Sequence, residues 1–284
     1  ALTALDVCGH EIGHAICSST ANLIYEKESG ALNEGFSDIW AACIENYANN
    51  TLGTTKQSWS IGEEEDHRAG HTALRSMSNP NAEGQPDTYV GTNWHNLIGC
   101  VPECDHTKVT YNDCCGVHTN SGVLNKFFYI LTMGENGTND IGDIYNVTGI
   151  GFERSQKIAY LAELNMNAST DFSGARTAFI YAAVTLFGYC SAEDIATTDA
   201  WYAVGVGNQY QSCSACQPDI TISGTYSQKL TESSTWIKSS GQTIIEINSS
   251  VKLDAHPING YVLLMPTVST DFFLAMPSAD GQFV

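Results

Sequence analysis

Apolar residues recur at three- and four-residue spacing from Leu5 to Ser18 and again from Ser29 to Ala48, the period of an amphipathic helix. The same period predicts helices over Asn120–Met133, Phe152–Leu164, Phe172–Leu186 and Ala192–Ala203. Between Asn49 and Val117 the period is lost, and Gly, Asn, Asp, Thr and Pro dominate. So long an irregular stretch in a compact domain is commonly functional or ion-bound. After Cys213-Ser-Ala-Cys216-Gln-Pro the pattern changes again. From Ile220 to Val284 short alternations such as Thr243-Ile-Ile-Glu-Ile and Ser250-Val-Lys-Leu, rich in Ser and Thr, signal strands separated by turns. The expected architecture is a mainly α lobe over residues 1–211, a linker over 212–219 and a small all-β module over 220–284.

Composition narrows the partners. The 284 residues carry 12 Lys and Arg against 31 Asp and Glu, a formal charge of −19. A surface this acidic repels nucleic acid and anionic membrane, and spare carboxylates suit calcium. No apolar run approaches the roughly 20 residues needed to span a bilayer. Ten cysteines point to an oxidising, extracellular setting, so a secreted protein is expected. Cys213-x-x-Cys216 has no second pair at zinc-ribbon spacing, and Cys114 and Cys115 are adjacent. Structural disulfides are therefore expected, with their connectivity open.

The chemistry is concentrated near the start. His10-Glu11-Ile12-Gly13-His14 puts two imidazoles four residues apart on one helical face, within reach of one metal ion. Glu11, beside them, is placed to hold a water on that metal and take its proton. Alone, the pattern also describes two surface histidines. Glu34, twenty residues after His14 in Gly30-Ala-Leu-Asn-Glu34-Gly-Phe-Ser-Asp38, supplies a third ligand. Three protein ligands and an open position make a catalytic zinc site. Asp38, one turn beyond Glu34, can accept the free N–H of a ligand histidine.

GHEIGHA, NLIYEKESGALNEGFSDIW, LRSMSNP, GVHTNSGVLNKFFY and AWYAVGVG occur in that order, and together they resemble the thermolysin family of secreted neutral metalloproteases. The resemblance covers residues 5 to about 207. It implies Zn2+ held by His10, His14 and Glu34, and Glu11 as general base and later proton donor. It implies that Tyr25 and His118 donate hydrogen bonds to the developing oxyanion, with Asp113 orienting His118. Arg75 and Asn33 are implied in substrate binding, Arg75 lining the pocket beyond the scissile bond. The expected activity is peptide-bond hydrolysis within protein or peptide substrates, before bulky apolar residues. Glu65, standing where relatives carry an apolar residue, leaves that preference open. The rival readings are a non-catalytic zinc-containing binding protein and a metal-dependent exopeptidase. Retention of Glu11, Tyr25 and His118 together argues for the enzyme.

Asp6, Glu45 and Glu63 match calcium-binding carboxylates of the same relatives. Ser58 and Ser60 stand for two further acids, so one Ca2+ is expected and not a pair. The family's β-rich N-terminal lobe is missing from these residues, which implies a longer precursor whose upstream lobe or propeptide partners this lobe. Ser250-Val-Lys-Leu-Asp-Ala-His and Gly260-Tyr-Val-Leu-Leu resemble C-terminal β-rich export domains of some gram-negative bacteria, with a substrate-binding β module as the rival. His67, His71, His95, His106 and His256 have no functional pairing evident in the sequence.

Overall fold

Helix α1 (Leu5–Ser19) and helix α2 (Lys27–Leu52) form the antiparallel pair on which the lobe is built. Asp6 lies in the first turn of α1, where a negative charge meets the positive end of the helix dipole. At its C-terminal end Ser18, Ser19 and Thr20 return hydroxyl bonds to the carbonyls of His14, Ala15 and Ile16, each at 2.9 Å. Glycines let α1 lie directly on α2. A Cβ at Gly13 would sit 2.5 Å from the Ser37 Cα, and one at Gly9 would sit 3.1 Å from the Ala41 Cα. Every residue of α2 from Ser29 to Ile39 is buried, so this helix runs through the interior and not over its surface. It ends at Gly53, whose φ of 70° provides the left-handed cap.

The structure, a computed structural model, describes residues 4–211 and, beyond them, the backbone of short strand segments. Two units result, Ala1–Gln209 and Tyr210–Val284. Within the first, the chain after α2 forms a two-residue antiparallel ladder, β1 (Ser60–Ile61) with β2 (Arg75–Ser76), which pairs Ile61 with Arg75. A 3-10 turn (Pro80–Glu83) and a tightly wound segment, α3 (Asp113–Asn120), follow. Then come α4 (Gly122–Met133), the hairpin β3 (Gly134–Thr138) with β4 (Ile144–Thr148), and helices α5 (Phe152–Leu164), α6 (Phe172–Phe187) and α7 (Ala192–Ala203).

The core lies where α2, α4, α6 and α7 meet. Phe127 stacks on Trp201 with centroids 4.1 Å apart, and Phe36 stacks on Phe179 at 5.7 Å. Both pairs are fully buried, and offset aromatic pairs add about 0.5–1.5 kcal/mol beyond the area they bury.

The expected helices form, with one correction. Asn120–Met133 is not one helix, because the chain re-enters at Ser121 and α4 begins at Gly122. The lobe also contains the β3–β4 hairpin, closed by Asn139, whose side-chain oxygen accepts the Asp143 N–H at 2.9 Å. In the second unit Ile220–Ile222 pairs in parallel with Ile237–Ser239, and Thr225–Tyr226 and Phe273–Pro277 flank Thr243–Ile247. Leu230–Glu232 also pairs in parallel with Leu253–Ala255, while the expected linker over 212–219 and the remaining positions of the expected β module lie outside the described residues.

Candidate active site

His10 and His14 project from α1 towards Glu34 on α2. Nε2 of His10 lies 3.4 Å from Glu34 Oε2, and Nε2 of His14 lies 3.4 Å from Glu34 Oε1. The three ligand atoms fall within 4.8 Å of one another. Each histidine has its other nitrogen engaged. His10 Nδ1 donates to Asp38 Oδ1 at 2.7 Å, and His14 Nδ1 donates to Asn33 Oδ1 at 2.7 Å, with Ser37 Oγ at 3.0 Å. Both Nε2 lone pairs are thereby turned inward, the tautomer a metal ligand needs. Glu34 Oε2 is buried without a hydrogen-bond partner, the condition of a ligand oxygen awaiting a cation.

The electrostatics fit that cation. Burial alone would raise Glu34, but the His10 hydrogen bond and the positive charges of Arg75, His118 and His10 carry it down to about 2. Burial would lower His10, yet Asp38 and Glu34 outweigh it and lift it to about 9.

Asp38 is the hub behind the cage. Arg75 grips it with a two-pronged bond, Nε to Oδ2 at 2.8 Å and Nη2 to Oδ1 at 2.7 Å, and Asn125 Nδ2 adds a third donor at 2.8 Å. These charges hold the fully buried Asp38 well below the usual carboxylate range despite its desolvation. The β1–β2 ladder delivers Arg75 to this position.

Two donors stand over the cage. Tyr25 Oη donates to Glu34 Oε1 and lies 3.2 Å from His118 Nε2. Burial and the neighbouring Glu34 carboxylate keep the phenol protonated far above its ordinary range. His118 Nδ1 meets Asp113 Oδ1 at 2.5 Å, and its own backbone N–H donates to Asp113 Oδ2 at 3.0 Å. Burial opposes charging of the ring, but Asp113 and Glu34 prevail, so His118 titrates above the ordinary histidine value. Glu11 is exposed beside His10.

Asn33 stands behind the cage, next to His14. It is 7 % exposed, holds His14 through its carbonyl oxygen and donates its amide to Leu23 O at 3.2 Å. It orients a ligand histidine, and its amide keeps one further N–H.

The three acids expected at calcium converge from α1, α2 and the loop after β1. Asp6 accepts the Gly62 N–H, while both Glu45 oxygens and Glu63 Oε2 are buried without a hydrogen-bond partner. Burial and the neighbouring carboxylates of Asp6 and Glu63 push Glu45 up to about 7. Stacked acids without a fixed positive partner are the donor set a hard cation prefers.

A further group, Asp66, His71 and Glu83, was not evident in the sequence. His71 Nδ1 lies 2.6 Å from Glu83 Oε2, and Arg68 forks onto Asp66 with two bonds of 2.9 Å. Arg68 offsets the charge of Asp66, and the group fastens the loop leading to Arg75. His95 has a backbone role, its N–H and C=O both bonded to the Asn120 side chain, at 2.9 and 3.0 Å.

Among the described residues the disulfides are Cys100–Cys115 and Cys104–Cys114. Asp113, Cys114 and Cys115 all have positive φ, a region costing a non-glycine residue roughly 1–2 kcal/mol. A bridge closing a short loop contributes typically about 2–4 kcal/mol, enough to offset that cost.

Comparison with known proteins agrees with this geometry. The chain matches the family described as thermolysin metallopeptidase, alpha-helical domain, over residues 21–206. Bacillolysin of Bacillus cereus is 40 % identical over 205 residues, covering 71 % of this chain and 32 % of the relative. Thermolysin of Alicyclobacillus acidocaldarius is 39 % identical over 211 residues, covering 71 % of this chain and 33 % of the relative. The solved precursor of protealysin, a metalloproteinase from Serratia proteamaculans, shares 26 % identity at a TM-score of 0.51, covering 71 % of this chain and 57 % of that one. The chain belongs to the thermolysin metallopeptidase family, through its alpha-helical domain. It spans about a third of the length of these two curated relatives.

Proposed function

We propose that the protein is a secreted zinc metalloendopeptidase in which these residues form the metal-binding half of the cleft. The observation that carries the reading is the convergence of two groups: the cage of His10, His14 and Glu34, and the donors Tyr25 and His118 that reach its Glu34 edge at 3.3 Å or closer. A zinc-storing or structural site has no use for the second group.

Zinc, when bound, supplies a Lewis acid that polarises the scissile carbonyl and acidifies water. Glu11 then takes the proton of the attacking water and returns it to the leaving amine. Tyr25 and His118 donate hydrogen bonds to the carbonyl oxygen as its charge grows. Asp113 fixes the His118 ring and favours its protonated form. Arg75 uses Nε and Nη2 on Asp38, which leaves Nη1 to meet a substrate carbonyl. Asp38 and Asn33 hold the two ligand histidines in place. The cleft takes bulky apolar residues after the scissile bond, with Glu65 standing where relatives carry an apolar residue. Asp6, Glu45 and Glu63 take one Ca2+.

Among the described residues no helix is long and apolar enough to cross a membrane, and two disulfides are present, both in keeping with export. An upstream lobe of the same precursor completes the cleft. The test is casein hydrolysis and zinc content of the protein expressed from its complete reading frame, for wild type and Glu11→Ala. Zinc retained with turnover nearly abolished is expected in the variant. Undiminished hydrolysis by Glu11→Ala would sink the mechanism.

A further inference from the structure

The segment that ends at His118 is built unlike the rest of the lobe. Asp113, Cys114, Cys115 and Gly116 have successive φ of 58°, 51°, 68° and 76°. Glycine enters that region freely and aspartate tolerates it, but cysteine has no preference for it. Gly116 admits no side chain, because a Cβ there would meet the His95 ring at 2.5 Å. The left-handed run turns the Asp113 carboxylate back onto His118, where it receives both the ring and the backbone N–H.

What holds the cysteines in that run is a knot of local links. Cys114 is bridged to Cys104 and Cys115 to Cys100, across 10 and 15 residues. Asn112 ties the same strands of chain, accepting from Glu103 N at 2.9 Å and Cys115 N at 3.0 Å, and donating to Val101 O at 2.9 Å. Sγ of Cys104 lies 3.9 Å from the Tyr25 carbonyl oxygen, so the knot also touches the segment bearing the other donor.

We infer that the adjacent bridges Cys104–Cys114 and Cys100–Cys115 are positioning elements of the site: they hold Asp113 in its left-handed conformation and, through it, aim the His118 ring. The consequence for turnover rests on the peptidase reading above; the geometric claim does not. Sulfur takes no part in the chemistry. A bridge that only stabilises lowers the melting temperature and leaves kcat intact below it. A bridge that positions lowers kcat in a protein still folded and loaded.

The experiment compares zinc-loaded wild type, expressed from its complete reading frame, with C104S/C114S, C100S/C115S and the fourfold variant, each with and without Asp113→Asn. Peptide kinetics are measured well below each melting temperature, with zinc content alongside. In the fourfold variant kcat is expected to fall roughly ten- to a hundredfold, with zinc content and KM little changed. Asp113→Asn produces a similar loss, and the combination loses no more than the larger of the two. Hydrogen exchange at the His118 amide, bonded to Asp113 Oδ2, is read whether or not the protein is active, and protection is expected to drop without the bridges. Wild-type kcat with wild-type protection in the folded, unbridged variant overturns the inference, as do fully additive losses with Asp113→Asn. A wild type that binds zinc but cleaves no peptide sinks the peptidase reading instead, and the exchange comparison still decides the positioning claim.

Discussion

The carboxylate of Asp38 receives the Nδ1 proton of His10 at 2.7 Å while Arg75 grips it from the other side. The four donors to Asp38, from His10, Arg75 and Asn125, occupy both of its oxygens, so an amide in its place would turn an N–H towards a donor on whichever side it faced. Asp38→Asn is expected to weaken zinc binding about 10- to 100-fold, the usual cost of losing a ligand's partner. Competition with a metal-sensitive chelator measures it, and an unchanged affinity would refute the hub role.

His118→Ala removes a donor that is not one of the three zinc ligands, although its ring lies 3.3 Å from Glu34 Oε1. Zinc content should hold, while kcat drops on the order of 10²- to 10³-fold, as for the loss of one oxyanion donor. Single-turnover kinetics would show whether the chemical step is the one slowed; a loss confined to KM would assign His118 to binding alone.

Gly13→Ala tests the helix contact. Alanine is better than glycine in a helix interior by about 1 kcal/mol. Here its Cβ would meet backbone at 2.5 Å, and overpacking costs typically about 1–3 kcal/mol. The clash should win, lowering both stability and zinc affinity as α1 is pushed from α2. A stabilised variant with normal zinc binding would show that the helices can separate freely.

Calcium should stabilise the fold through Asp6, Glu45 and Glu63. Free calcium at about 100 times its Kd adds about 2.7 kcal/mol. Glu45→Gln is expected to abolish most of the calcium-dependent rise in Tm, and to raise calcium-free stability near pH 8, where the unpartnered carboxylate is charged. Scanning calorimetry with and without calcium decides it, using a chelator that spares zinc.

Glu163 gives the fold a pH dependence away from the site. It is fully buried, accepting from Thr20 Oγ1 at 3.0 Å and Trp40 Nε1 at 3.1 Å, and burial outweighs both bonds to push it up to about 7. The folded chain therefore holds this proton at pH values where the unfolded chain has lost it. Its contribution is full below about pH 4 and is lost as pH rises through 7, by up to about 3 kcal/mol. Glutamine can accept from Trp40 and donate to Thr20, so Glu163→Gln should flatten this part of the stability curve. Identical urea-melt pH profiles for the two proteins would show that Glu163 is not its source.

Periodicity made the helices legible because each has one face that must be covered, and α5 and α7 begin and end where the apolar spacing does. The β3–β4 hairpin was not legible. Its first strand, Gly-Glu-Asn-Gly-Thr, has no apolar alternation, and only Tyr145 and Val147 of the second are buried. Motif spacing brought out His10, His14 and Glu34, since helix geometry fixes where they point. The bonds of Asn33 to His14 and Leu23 were not legible, because spacing marks its neighbour Glu34 and only coordinates show which way the amide faces. The pairing of Cys114 with Cys104 goes with a left-handed backbone at Cys114, for which cysteine carries no sequence signal.

The knot at Cys114 and Cys115 carries an implication about timing. A chain freshly made among excess thiols lacks both bridges, and on the positioning inference it holds Asp113 loosely, however well the rest has folded. The last step in assembling the site is then an oxidation, and the clock on a working protein starts when the chain first meets an oxidant.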